Sequence, residues 1–127
     1  MPKIEGNCRD VCEATEFLTI VTSGDDGPYV VGNWGDYMRA LGIGDDTIVL
    51  PAGRYHRTEQ NLRKDARVQL MVASRKVQGT RSPGQGYLIS GTAEIVTSGE
   101  VADTVKAKFP WARGAMVIRV EEIKAQL

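Results

Sequence analysis

Two runs rich in β-branched and aromatic residues, FLTIVTS at 17–23 and YVVGNW at 29–34, are separated by little more than Gly24-Asp25-Asp26-Gly27. A connection this short cannot carry a crossover, so the two runs pair as an antiparallel hairpin. The same punctuation recurs along the chain. TIVLP at 47–51 follows the turn GIGDD at 42–46. RVQLMVAS at 67–74 places Val68, Leu70 and Val72 on one face, as a half-buried strand does. KVQGTRSPGQG at 76–86 carries three glycines and a proline and reads as a loop. YLISGTAEIV at 87–96 is a long strand with a kink expected at Gly91, and AMVIRVEEI at 115–123 is the last strand.

Helical signals are few and short. Residues 7–16 form one helix with Asn7 at its N-cap. Thr58–Asp65 forms a second, and Thr97 and Glu100 have the spacing of a capping box that opens a third, ending near Lys108. Gly35 is expected to bend or bulge the chain before YMRAL at 37–41. Six or seven strands, three short helices and few βαβ units favour an antiparallel barrel or sandwich over a Rossmann-type sheet. Neither GxGxxG nor GxxxxGK[ST] occurs.

The 127 residues suit one domain with a core of its own. Lys+Arg and Asp+Glu both number 16, and this balance argues against nucleic acid as the main partner. No run approaches the roughly 18 apolar residues that a membrane span needs. The first residues, MPKIEGNCRDVCEATE, lack an apolar signal core, so a cytoplasmic protein is expected. Cys8 and Cys12 sit four apart and share a helical face with Val11. Small buried hydrophobes are the plain reading of the pair; a redox pair or a metal site needs better geometry or more ligands.

Chemistry concentrates in LPAGRYHRTEQNL at 50–62. A strand ends at Pro51-Ala52-Gly53, and His56, Arg57 and Thr58 stand at the mouth of the next helix. A helix N-terminus presents unpaired N–H groups and partial positive charge, which suits a phosphate. Thr58 can cap the helix or turn its hydroxyl to an anion, Arg57 can add charge-assisted bonds, and Gly53 lets backbone approach a ligand. A solvated arginine and a structural histidine are the bland alternative. Ser74-Arg75-Lys76 is a second basic group; if it met the first, three cations and two hydroxyls would converge on one anion. Trp34 and Tyr37, in NWGDY, and Trp111 are either neighbours of a planar ligand or core and interface anchors.

Taken in order, DGPYVVGNW with Tyr37, VLPAGRYHRTEQNLRKDARV, SRKVQG, PGQGYLISGTA, WARGAMVIRV and the terminal leucine resemble the FMN-binding split-barrel family related to pyridoxamine 5′-phosphate oxidase. The resemblance runs from about Glu16 to Leu127. It implies a mainly β fold, a six-stranded antiparallel split β-barrel with a few short helices, and a homodimer with one noncovalent FMN per subunit at the boundary. It places the phosphate on Arg57 and Thr58, with Ser74, Arg75 or Lys76 assisting and His56 beside them. Backbone from Val31, Gly32, Asn33 and Trp34 and from Pro51, Ala52 and Gly53 would face the isoalloxazine, with Trp34, Tyr37 and Trp111 near the ring. Leu127 would reach the flavin of the partner. Gly32-Asn33 stands where small members of the family carry Asn-Thr, and Arg57 where they carry Lys. The arginine- and histidine-bearing C-terminal substrate motif of the oxidases is missing, which implies that their substrate chemistry is not run here.

Three functions follow as expectations. A flavin redox protein would pass electrons to a protein partner. A small reductase or oxidase using a nicotinamide donor would need an open pocket over the flavin, which Trp34, Trp111 and a neighbour's Leu127 are expected to cover. A non-redox module would use the same clamp for another phosphate-bearing ligand.

Overall fold

A computed structural model describes residues 2–79 and 81–127. Its elements are α1 (Gly6–Ala14), β1 (Phe17–Gly24), β2 (Gly27–Trp34), α2 (Gly35–Leu41), β3 (Thr47–Ala52), α3 (His56–Lys64), β4 (Arg67–Gln78), β5 (Pro83–Val96), α4 (Glu100–Lys108) and β6 (Gly114–Gln126). The strands form one sheet in the order β2-β1-β4-β5-β6-β3, with every neighbouring pair antiparallel. Gly24 pairs with Gly27, so Asp25 and Asp26 alone turn the first hairpin. The register of β5 against β6 shifts between Ser90 and Gly91, where a kink was expected. Such a bulge bends a long strand and helps the sheet curl. The result is the mainly β split barrel that the resemblance implied.

The concave face is apolar. Leu18, Ile20, Ile48, Leu50, Leu70, Ile89, Met116 and Ile118 are buried there, with Ile4, Val11 and Met38 packed from outside the sheet. Cys8 and Cys12 join this core as free, buried thiols. Cys8, and then burial, push the Cys12 thiol far up, so it stays protonated at neutral pH.

Several boundaries differ from expectation, each for a physical reason. YMRAL belongs to α2, a fourth helix that starts at Gly35 itself. Gly35 N donates to Glu16 O, and a Cβ at Gly35 would collide with the Thr15 carbonyl, so this position demands glycine for packing. Asn7 is not a cap; α1 begins at Gly6 after Glu5, and Asn7 accepts from Tyr87 Oη and donates to Gln78 O. Residues 76–78 and 83–86 continue β4 and β5 where a loop was expected, because backbone pairing there tolerates glycine and polar residues. Thr97 does not cap α4, which follows Gly99 at φ 98°; Thr97 O accepts from Lys106 Nζ instead.

Candidate functional site

The two edge strands of the curled sheet, β2 and β3, approach each other at one place. Asn33 Nδ2 donates to Pro51 O at 3.2 Å and to Tyr55 Oη at 3.0 Å. Tyr55 Oη donates to Gly32 O at 2.6 Å, and Trp34 N donates to Asn33 Oδ1 at 2.8 Å. One buried amide and one phenol therefore tie the end of β2 to the β3–α3 turn. Tyr55 itself sits in the left-handed region at φ 55°, strained for a non-glycine residue and held by these bonds. Burial raises its pKa, against the hydrogen bond from Asn33.

Tyr55 also moves the start of the helix. α3 begins at His56, two residues before the expected start, so Thr58 is not the cap but lies within the first turn. Thr58 is fully buried, and its Oγ1 has no hydrogen-bond partner among the described residues. A helical threonine commonly donates to the carbonyl four residues back. That acceptor, Arg54 O, is engaged by Arg113 Nε at 2.8 Å. An unsatisfied buried hydroxyl costs about 1–3 kcal/mol, so it marks a place where a polar partner from outside the chain is favoured. His56 and Arg57 open the helix in exposed positions. The Arg57 guanidinium lies 5.4 Å from the Tyr29 ring centroid and 3.7 Å from an Asp26 carboxylate oxygen, both on the β1–β2 hairpin.

The aromatic residues gather at the other end of β2. Tyr37, at the start of α2, lies 5.6 Å from Trp111, and both pack on Phe109. A Cβ on Gly53 would stand 3.2 Å from the Trp111 ring, so that glycine lets the indole lie against the turn. Trp34 packs edge-on against Phe17 at 5.4 Å. Trp34 and Trp111 are 49% and 53% exposed, so neither is a core anchor. A cleft of about 500 Å³ opens between Trp34 and the end of α1, lined by Glu16, Trp34, Asp36, Tyr37, Arg39 and Lys76.

The remaining residues fall elsewhere. Val31 packs on the core, and Pro51 and Ala52 are buried. Ser74, Arg75 and Leu127 line a separate cleft of about 390 Å³ with Arg81 and Ser82. Thr22, bonded to Asn61 of α3, stands opposite Val68 at the start of β4. Ser74 is six residues further along that strand, about 20 Å away at the rise of an extended chain. Ser74 and Arg75 thus line one cleft and Lys76 another, beside Trp34 and Tyr37, while the Arg57 guanidinium faces the β1–β2 hairpin. Tyr55, Glu59, Arg81 and Arg113 were not singled out by the sequence; a strained turn residue and ion-pair partners distant along the chain leave no local pattern. Among the described residues, no group of three or more His, Cys, Asp or Glu is placed to hold a metal ion. No described helix is long and apolar enough to cross a membrane.

A curled antiparallel sheet with a basic helix mouth and a cluster of exposed rings at its open edge defines the class, and sequence comparison agrees. The pyridoxamine 5′-phosphate oxidase family matches residues 4–126, and the chain belongs to that family. It is 39% identical over 117 residues to the FMN-binding protein of Nitratidesulfovibrio vulgaris (strain DSM 19637 / Miyazaki F), an alignment covering 92% of this chain and 93% of that one. In fold it is similar to a HupZ variant of Group A Streptococcus, with a TM-score of 0.78, 21% identity, and 97% and 99% of the two chains covered. An FMN-binding protein from Syntrophomonas wolfei subsp. wolfei follows with a TM-score of 0.64, 17% identity, and 94% and 83% covered.

Proposed function

We propose that this protein binds FMN noncovalently along the β3–α3 turn and acts as a cytoplasmic flavin redox protein that exchanges electrons with a protein partner. The observation that carries the reading is the buried, unpartnered Thr58 hydroxyl in the first turn of α3, with Arg57 exposed in the same turn and its guanidinium 3.7 Å from Asp26 on the β1–β2 hairpin. A phosphate oxygen is the kind of acceptor such a hydroxyl and helix mouth favour. The residues present fit the cofactor. Arg57 and Thr58 would hold the phosphate, backbone around Gly32–Trp34 and Pro51–Gly53 would face the isoalloxazine edge, and Tyr37, Trp34 and Trp111 offer rings beside it. FMN, when bound, supplies one- and two-electron redox chemistry. The chain's own residues orient it, set the local charge and limit water.

The reading includes a homodimer. Phe17 and Trp34 face each other across β1 and β2, with Val30 further along the same face, and all three are exposed. A second copy would cover that apolar face and bring its Leu127, 87% exposed in the isolated chain, to the neighbouring site. The cleft of about 500 Å³ beside Trp34 and Tyr37 favours a second reading, a small reductase using a nicotinamide donor, because it leaves open space where a covering wall was expected.

The test is the absorption spectrum and affinity of the purified protein. Oxidised-flavin bands that bleach with reductant are expected, and a protein that takes up no FMN ends the reading. Arg57→Ala is expected to weaken FMN binding by about 1.5–3 kcal/mol, the scale of a charge-assisted hydrogen bond. An unchanged dissociation constant removes Arg57 from the site. Steady oxidation of nicotinamide by the protein alone selects the second reading.

A further inference from the structure

Glu59 is an anomaly in a turn that would receive a phosphate, since a carboxylate in the first turn of α3 repels an anion. It is held by two arginines. Arg63 Nη2 donates to Glu59 Oε2 at 2.9 Å along the helix, and Arg113 Nη2 donates to Oε1 at 2.8 Å from the start of β6. Arg113 does more than neutralise. Its Nε donates to Arg54 O at 2.8 Å, and its backbone N donates to Ala52 O at 2.9 Å. The side chain of Arg113 is 25% exposed and that of Glu59 13%, so the pair is only partly screened by water, whereas Arg63 at 74% is a surface residue. One residue thus fastens both sides of the left-handed residue Tyr55: its backbone holds the end of β3, and its side chain holds Arg54 before Tyr55 and Glu59 in the first turn of α3 after it.

We propose that Arg113 is a positioning residue for the phosphate end of the site. By engaging Arg54 O and Glu59 together, it fixes the turn that carries the buried Thr58 hydroxyl and the exposed Arg57 at the helix mouth. Trp111, two residues before Arg113, packs against Gly53 through its own ring and not through the Arg113 side chain. This rests on the FMN reading above. A guanidinium makes the two bonds from two nitrogens of its planar fork, Nε and Nη2; an ammonium is a single point donor and does not reproduce that geometry.

The test compares dissociation constants for FMN and for riboflavin, which lacks the phosphate, in the wild type, Arg113→Gln, Arg113→Lys and Arg63→Gln. Arg113→Gln is expected to lower the preference for FMN over riboflavin by about tenfold, the loss of one charge-assisted contact. Riboflavin affinity itself should move little. Arg63→Gln removes the other neutralising charge without touching the turn and should leave the preference within about twofold. Equal losses in Arg113→Gln and Arg63→Gln would assign the effect to charge alone and overturn the positioning role, as would a preference unchanged in Arg113→Gln. If Arg113→Gln fails to fold, Arg113→Lys decides: it keeps the charge, so a lost preference supports positioning and a retained one overturns it. A wild type that binds neither flavin sinks the FMN reading itself, whereas a wild type that prefers FMN with variants that do the same sinks only the role of Arg113.

Discussion

The two basic regions of this molecule are built in opposite ways. At the β3–α3 turn Asn33 and Tyr55 bond β2 to the turn and Arg113 bonds the turn to the helix, and among the described residues Thr58 Oγ1 is the buried side-chain atom left without a partner. At the far end of β4 the cleft around Ser74, Arg75, Arg81 and Leu127 has little of this. Among the described residues, neither arginine there has a carboxylate partner, and the last residue of the chain stands in water. A pre-organised site needs its groups held before the ligand arrives, and the first region meets that need. In the second, the buried Gln85 amide donates to Gly86 O and Gln126 O, but the charge and apolar surface of Arg75, Arg81 and Leu127 lie outside that support, as expected of a surface completed by another molecule.

That contrast breaks first at Tyr55. Tyr55→Phe keeps the ring but removes the donor to Gly32 O and the acceptor for Asn33, leaving a buried amide short of a partner. We expect the urea-unfolding free energy to fall by about 1–3 kcal/mol. The double variant Arg75→Gln/Arg81→Gln, at the other region, should stay within about 0.5 kcal/mol of the wild type, as surface substitutions do. Similar losses from both would mean that the two regions do not differ in internal support.

What could be read from the sequence follows the same division. Strands were legible where side chains alternate against a core, as at Val68, Leu70 and Val72, since burial imposes the period. They were misread at 76–78 and 83–86, where backbone hydrogen bonds carry the pairing and the side chains say nothing. Gly35 looked like a bend because its real constraint, the Thr15 carbonyl against it, comes from twenty residues earlier in the chain. The strand–turn–helix arrangement around Gly53, Arg57 and Thr58 was legible because a strand, a glycine and a helix mouth lie side by side. Tyr55 was not, since nothing in PAGRYHR marks the tyrosine rather than the glycine as the left-handed residue. Arg113 could not be seen at all: its partner Glu59 is 54 positions away.

The second region is sharpened by its last residue. If the cleft at the end of β4 is completed across a dimer, deleting Leu127 should weaken FMN binding by about 1 kcal/mol, below the full value of burying a leucine because a chain end keeps some freedom. The unfolding of the flavin-free chain should not change, since Leu127 makes no core contact. A loss of stability without a change in FMN affinity would place Leu127 in the fold of its own subunit instead.

The smallest effect tests the end of α3 away from the phosphate turn. Asp65 closes that helix, and its carboxylate accepts from Arg67 Nη2 at 2.6 Å, Nε at 2.9 Å and the backbone N at 3.1 Å. The hydrogen bonds from Arg67 hold the Asp65 carboxyl down at about 2. A carboxyl depressed in the folded state favours folding wherever it is ionised, so its contribution is complete above the ordinary carboxylate range. It is lost as pH falls through that range to about 2, where the folded group itself takes up a proton. Thermal midpoints measured from neutral to acid pH should therefore fall more steeply for the wild type than for Asp65→Asn, the two curves converging at the acid end. The gap at neutral pH should be smaller than that of Tyr55→Phe, because the pair is at the surface and screened. Parallel curves would show that the Asp65–Arg67 pair contributes nothing to holding this end of α3.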